Sequence, residues 1–278
     1  MNVFQLVKTV LDELYIRIPA ETEAEKDEKI LQMMRFLEAE YPKLIQGVRI
    51  DYSDLVTRFA YIYKYVTSHA NLVYQVINAS TDLANLFDNE KVNVACIGGG
   101  PGSDFLGILK FLTHAGKSLF LRCILFDKEQ AWAECWNDVD EKLEAQLRIS
   151  TFFQPFDVTN ESTWSDQSKY LKSDLFSMVY FMSEIDALRK GAEPFFSNLF
   201  EKAKSGALFL YIDNNNPQFY GWFDSLAATH GLSVIQSDEL KMHIEDWSED
   251  KTDLGVYWEK FEHPKLRANV AFRVCRKE

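Results

Sequence analysis

Cysteine, glycine and proline are sparse in this chain: it has 278 residues, with four cysteines, 12 glycines and seven prolines. The cysteines, Cys96, Cys123, Cys135 and Cys275, form no Cys-x-x-Cys pair. A zinc or disulfide-exchange motif therefore has no support, and the expectation is four small core residues in a reducing compartment. No run of about 18 apolar residues is present, so no membrane span is expected. The opening stretch MNVFQLVKTVLDELYIRIPAE lacks a basic n-region and a cleavage-site pattern. It is not expected to be a secretory signal, which leaves cytoplasm or nucleus as the expected compartment. Basic charge is also short: 30 Lys and Arg face 42 Asp and Glu, for a net charge of −12. That balance argues against a generic nucleic-acid binder, which gains from neutralising phosphates. What is abundant is apolar surface. Hydrophobic residues make up 47% and aromatics 14%, enough to fill a core and to exclude a disordered chain.

The pattern changes once along the chain. Residues 1–90 read as helical. Val3, Leu6, Val7, Val10, Leu11 and Leu14 recur at helical spacing, and Ile30, Met33, Met34 and Leu37 repeat the pattern. A third helix follows Ser53, read as its cap, with Tyr61, Tyr65 and His69 four residues apart on one face. From Val92 onward, apolar runs alternate with helical patterns: VNVACIGGG, SLFLRCILFDKE, LRISTFFQPFD, LFSMVYFMSEID, SGALFLYIDNNN, GLSVIQSDELKM and LRANVAFRVCRKE. The alternation predicts an α/β domain over 91–278 with a seven-stranded, largely parallel, Rossmann-like sheet and helices on both faces, behind an N-terminal helical cap over 1–90. The last two runs lack a long intervening helix and are expected as an antiparallel hairpin. Ile244–Pro264 is a long excursion between them, and the acidic stretch Glu245–Asp253 reads as a solvated loop. EQAWAECWNDVDEKLEAQ reads as a helix with Trp132 and Trp136 in its core face.

The chemistry gathers at Gly98-Gly99-Gly100-Pro101-Gly102-Ser103-Asp104, after the first strand and at the start of a helix. Glycines there admit positive φ and let a ligand approach the main chain, beside the N–H groups of a helix start. A dinucleotide fingerprint from Gly98 needs Gly or Ala at position 103, where Ser103 stands, which disfavours a nicotinamide oxidoreductase. Asp127 ends the second strand, 29 residues beyond Gly98, where a carboxylate accepts from ribose hydroxyls. Phe156 and Asp157 end the third, an apolar face and an acceptor suited to adenine. Ser183 and Glu184 are expected at the carboxyl end of the fourth, facing the ligand crevice.

These residues resemble the class I S-adenosylmethionine-dependent methyltransferases over about Val92 to Glu278. The resemblance implies S-adenosylmethionine as cofactor and a reversed last strand. It assigns Gly98, Gly99, Gly100 and Gly102 to the methionine-side loop, Asp127 to ribose, and Phe156 and Asp157 to adenine, with Ser183 also on the donor side. Many members carry an acid two positions before the first glycine. Cys96 stands there, so Ser103 or Asp104 is expected to take its place. More narrowly, GGGPGSDFLGILKFL together with YIYKYVTSHANLVYQVI resembles the group of the fungal large-subunit ribosomal RNA uridine-N3 methyltransferases and their animal relatives of unassigned substrate.

The expected partner is a methyl acceptor, an RNA base nitrogen in one reading and a small molecule or protein nitrogen in another. A non-catalytic adenosyl-binding subunit is the remaining alternative. Neither metal nor membrane is expected, and oligomeric state is not legible. His69, Glu184 and Tyr65 are the candidate proton acceptors. Lys265, Arg267, Arg273, Arg276 and Lys277 form a basic cluster that would be the contact for RNA.

Overall fold

In the computed structural model, residues 2–136, 148–165, 167–243, 251–261 and 264–278 are described. Helix α1 (Val3–Arg17) begins with a reciprocal cap: Asn2 accepts from the Gln5 N–H, and Gln5 accepts from the Asn2 N–H. Thr22 caps α2 (Glu23–Glu40), whose first turn carries Glu23 and Glu25 at the positive end of the helix dipole. Helix α3 (Leu55–Tyr61) is capped by Asp54, not Ser53. The Asp54 carboxylate accepts from Thr57 at 2.8 Å, whereas Ser53 turns back to bond Asp51. The helix continues through a π-helical turn, Ile62–Val66, into α4 (Thr67–Ala79), and α5 (Thr81–Leu86) ends the N-terminal region.

The seven expected strands are β1 (Lys91–Ile97), β2 (Phe120–Asp127), β3 (Arg148–Pro155), β4 (Leu175–Val179), β5 (Leu208–Asn214), β6 (Leu232–His243) and β7 (Arg267–Lys277). They form one sheet in the order β3-β2-β1-β4-β5-β7-β6. Strands β1 to β5 pair in parallel, while β7 runs antiparallel to both β5 and β6. Strand order reverses between β1 and β4, the position where open α/β sheets bind ligands at their carboxyl edge.

One sheet face packs with the N-terminal helices and α6 (Ser103–His114) in a single apolar cluster running from Val7 and Leu11 through Ile62 and Val73 to Val94 and Leu106. Helices α4 and α6 come close at Gly107, where a Cβ would lie 2.5 Å from the Ala70 carbonyl oxygen. The other face buries aromatic rings of α9 (Arg189–Lys202) and α10 (Pro217–Thr229), among them Phe195, Phe196, Trp222 and Phe223.

Two further expectations change. The run LFSMVYFMSEID is not one strand. Strand β4 stops at Val179, Tyr180 takes a left-handed conformation (φ 56°, ψ 25°), and Phe181–Ile185 form a short helix, α8. An apolar run carries no signal that separates buried strand from buried helix, and so hides this break. The helix read over EQAWAECWNDVDEKLEAQ is a 3₁₀ turn (Gln130–Trp132) followed by α7 (Ala133–Trp136); its remainder lies outside the described residues. The excursion Ile244–Pro264 is partly buried. Residues 244–250 and 262–263 lie outside the described residues. Leu254, Tyr257 of α11 (Val256–Lys260) and Phe261 are buried against the N-terminal helices, with Tyr257 5.6 Å from Tyr15 and 5.3 Å from Phe59. Asp253 accepts from the Asn2 side chain at 2.5 Å. A strand-to-strand excursion thus braces the N-terminal helices.

Candidate functional site

The carboxyl ends of β1, β2, β3 and β4 border a cavity of about 340 Å³, which the segment Leu44–Tyr52 and Tyr61 close from the N-terminal side. Gly98 and Pro101 of the glycine loop line its floor. Gly98 (φ 71°) and Gly102 (φ 83°) occupy the left-handed region, where a side chain is strained. The loop is pinned to β2 by the Gly99 N–H, which donates to the Phe126 carbonyl at 3.1 Å. Three rings press on it. A Cβ at Gly98 would collide with Phe181, one at Gly100 with Trp132, and one at Gly102 with Trp136. These glycines therefore serve ring packing as well as backbone conformation. Trp132 and Trp136 are core residues, as expected, but the core they fill is the support of the loop.

Asp127 joins the loop directly. Its Oδ2 accepts from the Gly100 N–H at 3.2 Å and its Oδ1 from the Glu129 N–H at 2.9 Å. Burial pushes its carboxyl up to about 6 despite these bonds. Gly98, Asp127, Phe156, Asp157 and Glu184 all line the cavity. Phe156 packs edge-on against Phe126 (4.9 Å) and Phe195 (5.0 Å). The Asp157 carboxylate is engaged: Oδ1 accepts from the Thr159 N–H and hydroxyl, and Oδ2 pairs with Lys128 at 2.9 Å. Burial raises its proton affinity, but the Thr159 and Lys128 contacts outweigh this and hold the carboxyl below its usual value.

Other expected residues stand behind this lining. Ser103 opens α6 as a buried residue, and Asp104 accepts from the Ser177 hydroxyl of β4 at 2.5 Å. Burial pushes the Asp104 carboxyl up to about 6. Cys96 faces Cys123, sulfur to sulfur at 3.5 Å, in the apolar layer. Ser183 donates its N–H to Asp213 at 2.8 Å and its hydroxyl to the Tyr180 carbonyl, bracing the turn after β4. His69 stacks on Tyr180 with centroids 3.9 Å apart and planes 16° apart, and Tyr65 lies between His69 and Tyr61. Burial, and then Lys265, hold the imidazole well below its usual value. Of the face Tyr61, Tyr65 and His69, only Tyr61 reaches the cavity lining.

Glu184 does reach it, from the first turn of α8. The Tyr52 hydroxyl donates to its Oε1 at 3.2 Å and lies 2.7 Å from the Tyr41 hydroxyl. Burial, and then the nearby Asp127, push the Glu184 carboxyl up to about 8. Sequence reasoning missed Tyr52, Trp132 as a cavity residue and Tyr180; of the helix face read as core packing or as a lid over the site, Tyr61 lines the cavity. Tyr52 sits in an aperiodic loop, and its partner is 132 residues away, so no local pattern marks it.

The basic cluster is dispersed. Arg273 pairs with Asp224 at 3.1 Å, Arg276 with Asp82, and Lys277 donates to the His230 carbonyl; Lys265 lies over the Tyr65 ring. Among the described residues there is no group of three or more His, Cys, Asp or Glu placed to hold a metal, and no helix long and apolar enough to cross a membrane.

No protein-family model and no curated protein matches the sequence. Solved structures do match in fold. The CurJ carbon methyltransferase superposes with a TM-score of 0.51 at 12% identity, over 98% of this chain and 79% of that one, a span that includes the N-terminal helices. A candidate RNA methyltransferase from Pyrococcus horikoshii gives 0.46 at 16% identity, over 75% of this chain and 83% of that one. An S-adenosylmethionine-dependent methyltransferase from Methanosarcina mazei gives 0.45 at 10% identity, over 71% and 97%. Strand order, the reversed β7 and this likeness together give the chain the Rossmann-like fold of the S-adenosylmethionine-dependent methyltransferases.

Proposed function

We propose that the chain is an S-adenosylmethionine-dependent methyltransferase of the cytoplasm or nucleus, with its donor site in the cavity at the carboxyl ends of β1 to β3 and a cap formed by residues 1–90. The hydrogen bond from Gly100 to Asp127 carries the reading, because it ties the glycine loop and the ribose-suited carboxylate into one cavity with Phe156. The residues fit the donor by their chemistry. Asp127 retains lone pairs for two ribose hydroxyls, Phe156 offers a ring to adenine, and Gly98 presents bare backbone beside Pro101. Asp157 is occupied by Thr159 and Lys128, so we assign it to shaping the adenine end. Ser103, Asp104 and Ser183 hold the floor from behind. When bound, S-adenosylmethionine supplies a methyl group already activated on a sulfonium.

The chain's own task is then positioning, which supplies about 7–11 kcal/mol of barrier lowering when geometry is held. Glu184 is the group placed to take a proton, since it alone of the three candidates lines the cavity. Tyr65 and His69 set Tyr180 and Tyr61 in place. The acceptor we favour is small. Tyr52 and Tyr61 wall the cavity, and Arg273, Arg276 and Lys277 are engaged elsewhere. An RNA base nitrogen, the acceptor suggested by the ribosomal RNA resemblance, would have to enter flipped out of its strand.

Labelled donor incubated with cell extract tests both parts. Label in the small-molecule fraction is the expected result, and label in RNA would reverse the choice of acceptor. No transfer to any fraction, with the donor bound, would favour a non-catalytic adenosyl-binding subunit.

A further inference from the structure

Glu184 shares its cavity with three rings drawn from three separate elements: Tyr52 before α3, Tyr61 at the end of α3, and Trp132 before α7. Their centroids lie 5.4 Å (Tyr52–Tyr61), 5.3 Å (Tyr52–Trp132) and 5.8 Å (Tyr61–Trp132) apart, with planes inclined by 85°, 43° and 63°. Apolar packing accounts for rings alone. It does not account for an ionisable carboxyl among them, whose burial without a counter-charge pushes it up to about 8, so that a cation bound beside it would favour its ionised form. The hydrogen-bond partners of Glu184 are neutral phenols, Tyr52 and then Tyr41, and the charged groups bearing on it are acidic, Asp127 and Asp213. Five acids, Asp51, Asp127, Glu129, Asp157 and Glu184, line the cavity against two bases, Arg49 and Lys128. Lys128 is already paired with Asp157. A cavity of this composition attracts a soft cation, through the ring quadrupoles and the carboxylate together.

We infer that Tyr52, Tyr61, Trp132 and Glu184 form an onium subsite, and that its occupant is the positively charged amine of the methyl acceptor. The inference rests on the methyltransferase reading, because it names the acceptor class of that same site. The donor reading uses the ends of β1 to β3. Tyr52 and Tyr61 come from the N-terminal cap and Glu184 from α8, none of them an element the donor reading uses, while Trp132 packs on Gly100 where the two meet; the acceptor is therefore the assigned source. The donor also carries cationic centres, so the same chemistry has two sources and the test separates them.

Calorimetry on the full chain, with and without S-adenosylhomocysteine, would compare choline with its uncharged isostere 3,3-dimethylbutan-1-ol. Choline is charged at every pH, so its own ionisation does not enter. With S-adenosylhomocysteine bound, choline is expected to bind about tenfold more tightly than the alcohol. Glu184→Gln should remove that preference while S-adenosylhomocysteine still binds. Tyr52→Phe keeps the ring and should retain part of the preference, a control against loss of fold. Equal binding of the two probes, or a preference that survives Glu184→Gln, overturns the subsite. A choline preference abolished by S-adenosylhomocysteine overturns the acceptor assignment and gives the subsite to the donor. Failure of the parent reading looks different: choline discrimination would persist while neither S-adenosylmethionine nor S-adenosylhomocysteine bound.

Discussion

The indole N–H of Trp136 donates to the carbonyl of Gly100 at 2.9 Å, and so ties α7 to the centre of the glycine loop. On its other side, the N–H of Gly100 is held by Asp127. One peptide position is therefore clamped through both of its polar groups. Trp136→Phe keeps a ring over Gly102 and leaves the Gly100 carbonyl without this donor. A buried acceptor left unpaired costs about 1–3 kcal/mol. Thermal unfolding should show that loss, and calorimetry should show weaker binding of S-adenosylmethionine. Unchanged values in both would mean that the loop does not depend on this clamp.

Gly98 is constrained twice, by φ of 71° and by Phe181 above it. Gly98→Ala should lower stability by about 1–3 kcal/mol and donor affinity with it. Pairing Gly98→Ala with Phe181→Leu relieves the collision but not the backbone strain. A double-mutant cycle read by chemical denaturation should therefore show partial, not full, rescue.

Much of this architecture is legible in sequence, for reasons specific to its parts. Strands β4 and β5 are buried on both faces and β1 nearly so, and runs such as ALFLYI carry a continuous apolar signal. Gly98 to Asp127 is legible because a strand-turn-helix needs glycine at fixed places and the acid at the next strand end. The break at Tyr180 is hidden because both sides of it are apolar. Tyr52 is hidden because only the tertiary fold brings it to Glu184. The docking of Tyr257 on Tyr15 joins residues at opposite ends of the chain, and no periodicity reports that.

The Glu184 carboxyl stands at about 8, above its usual 4.5, so its ionisation in the folded chain is costly. The groups facing it are Tyr41, Tyr52, Tyr61, Asp127 and Asp213. The phenols are pushed up by burial and stay neutral in this range, while Asp127 and Asp213 stand at about 6. A raised carboxyl contributes stability at acid pH that is lost as pH rises from about 4.5 to about 8. Glu184→Gln removes that dependence, so the variant should gain on the parent in melting temperature as pH rises through this window. Parallel melting curves across the window would contradict a buried, ionisable Glu184.

A cationic ligand favours the carboxylate, so choline affinity should rise as pH increases through about 8, and binding near neutrality should release protons. Calorimetry in buffers of different ionisation enthalpy reads that release directly. Zero proton exchange would separate Glu184 from the ligand.

Asp127 and the glycine loop are the parts of the chain assigned to hold an adenosyl group. Titration calorimetry of S-adenosylmethionine against the parent chain and Asp127→Ala tests this most directly. Loss of hydrogen bonds to a charged group is worth about 1.5–3 kcal/mol, so the variant should bind roughly ten- to a hundredfold more weakly. Equal affinity in the two proteins, or no binding to the parent, would contradict the assignment.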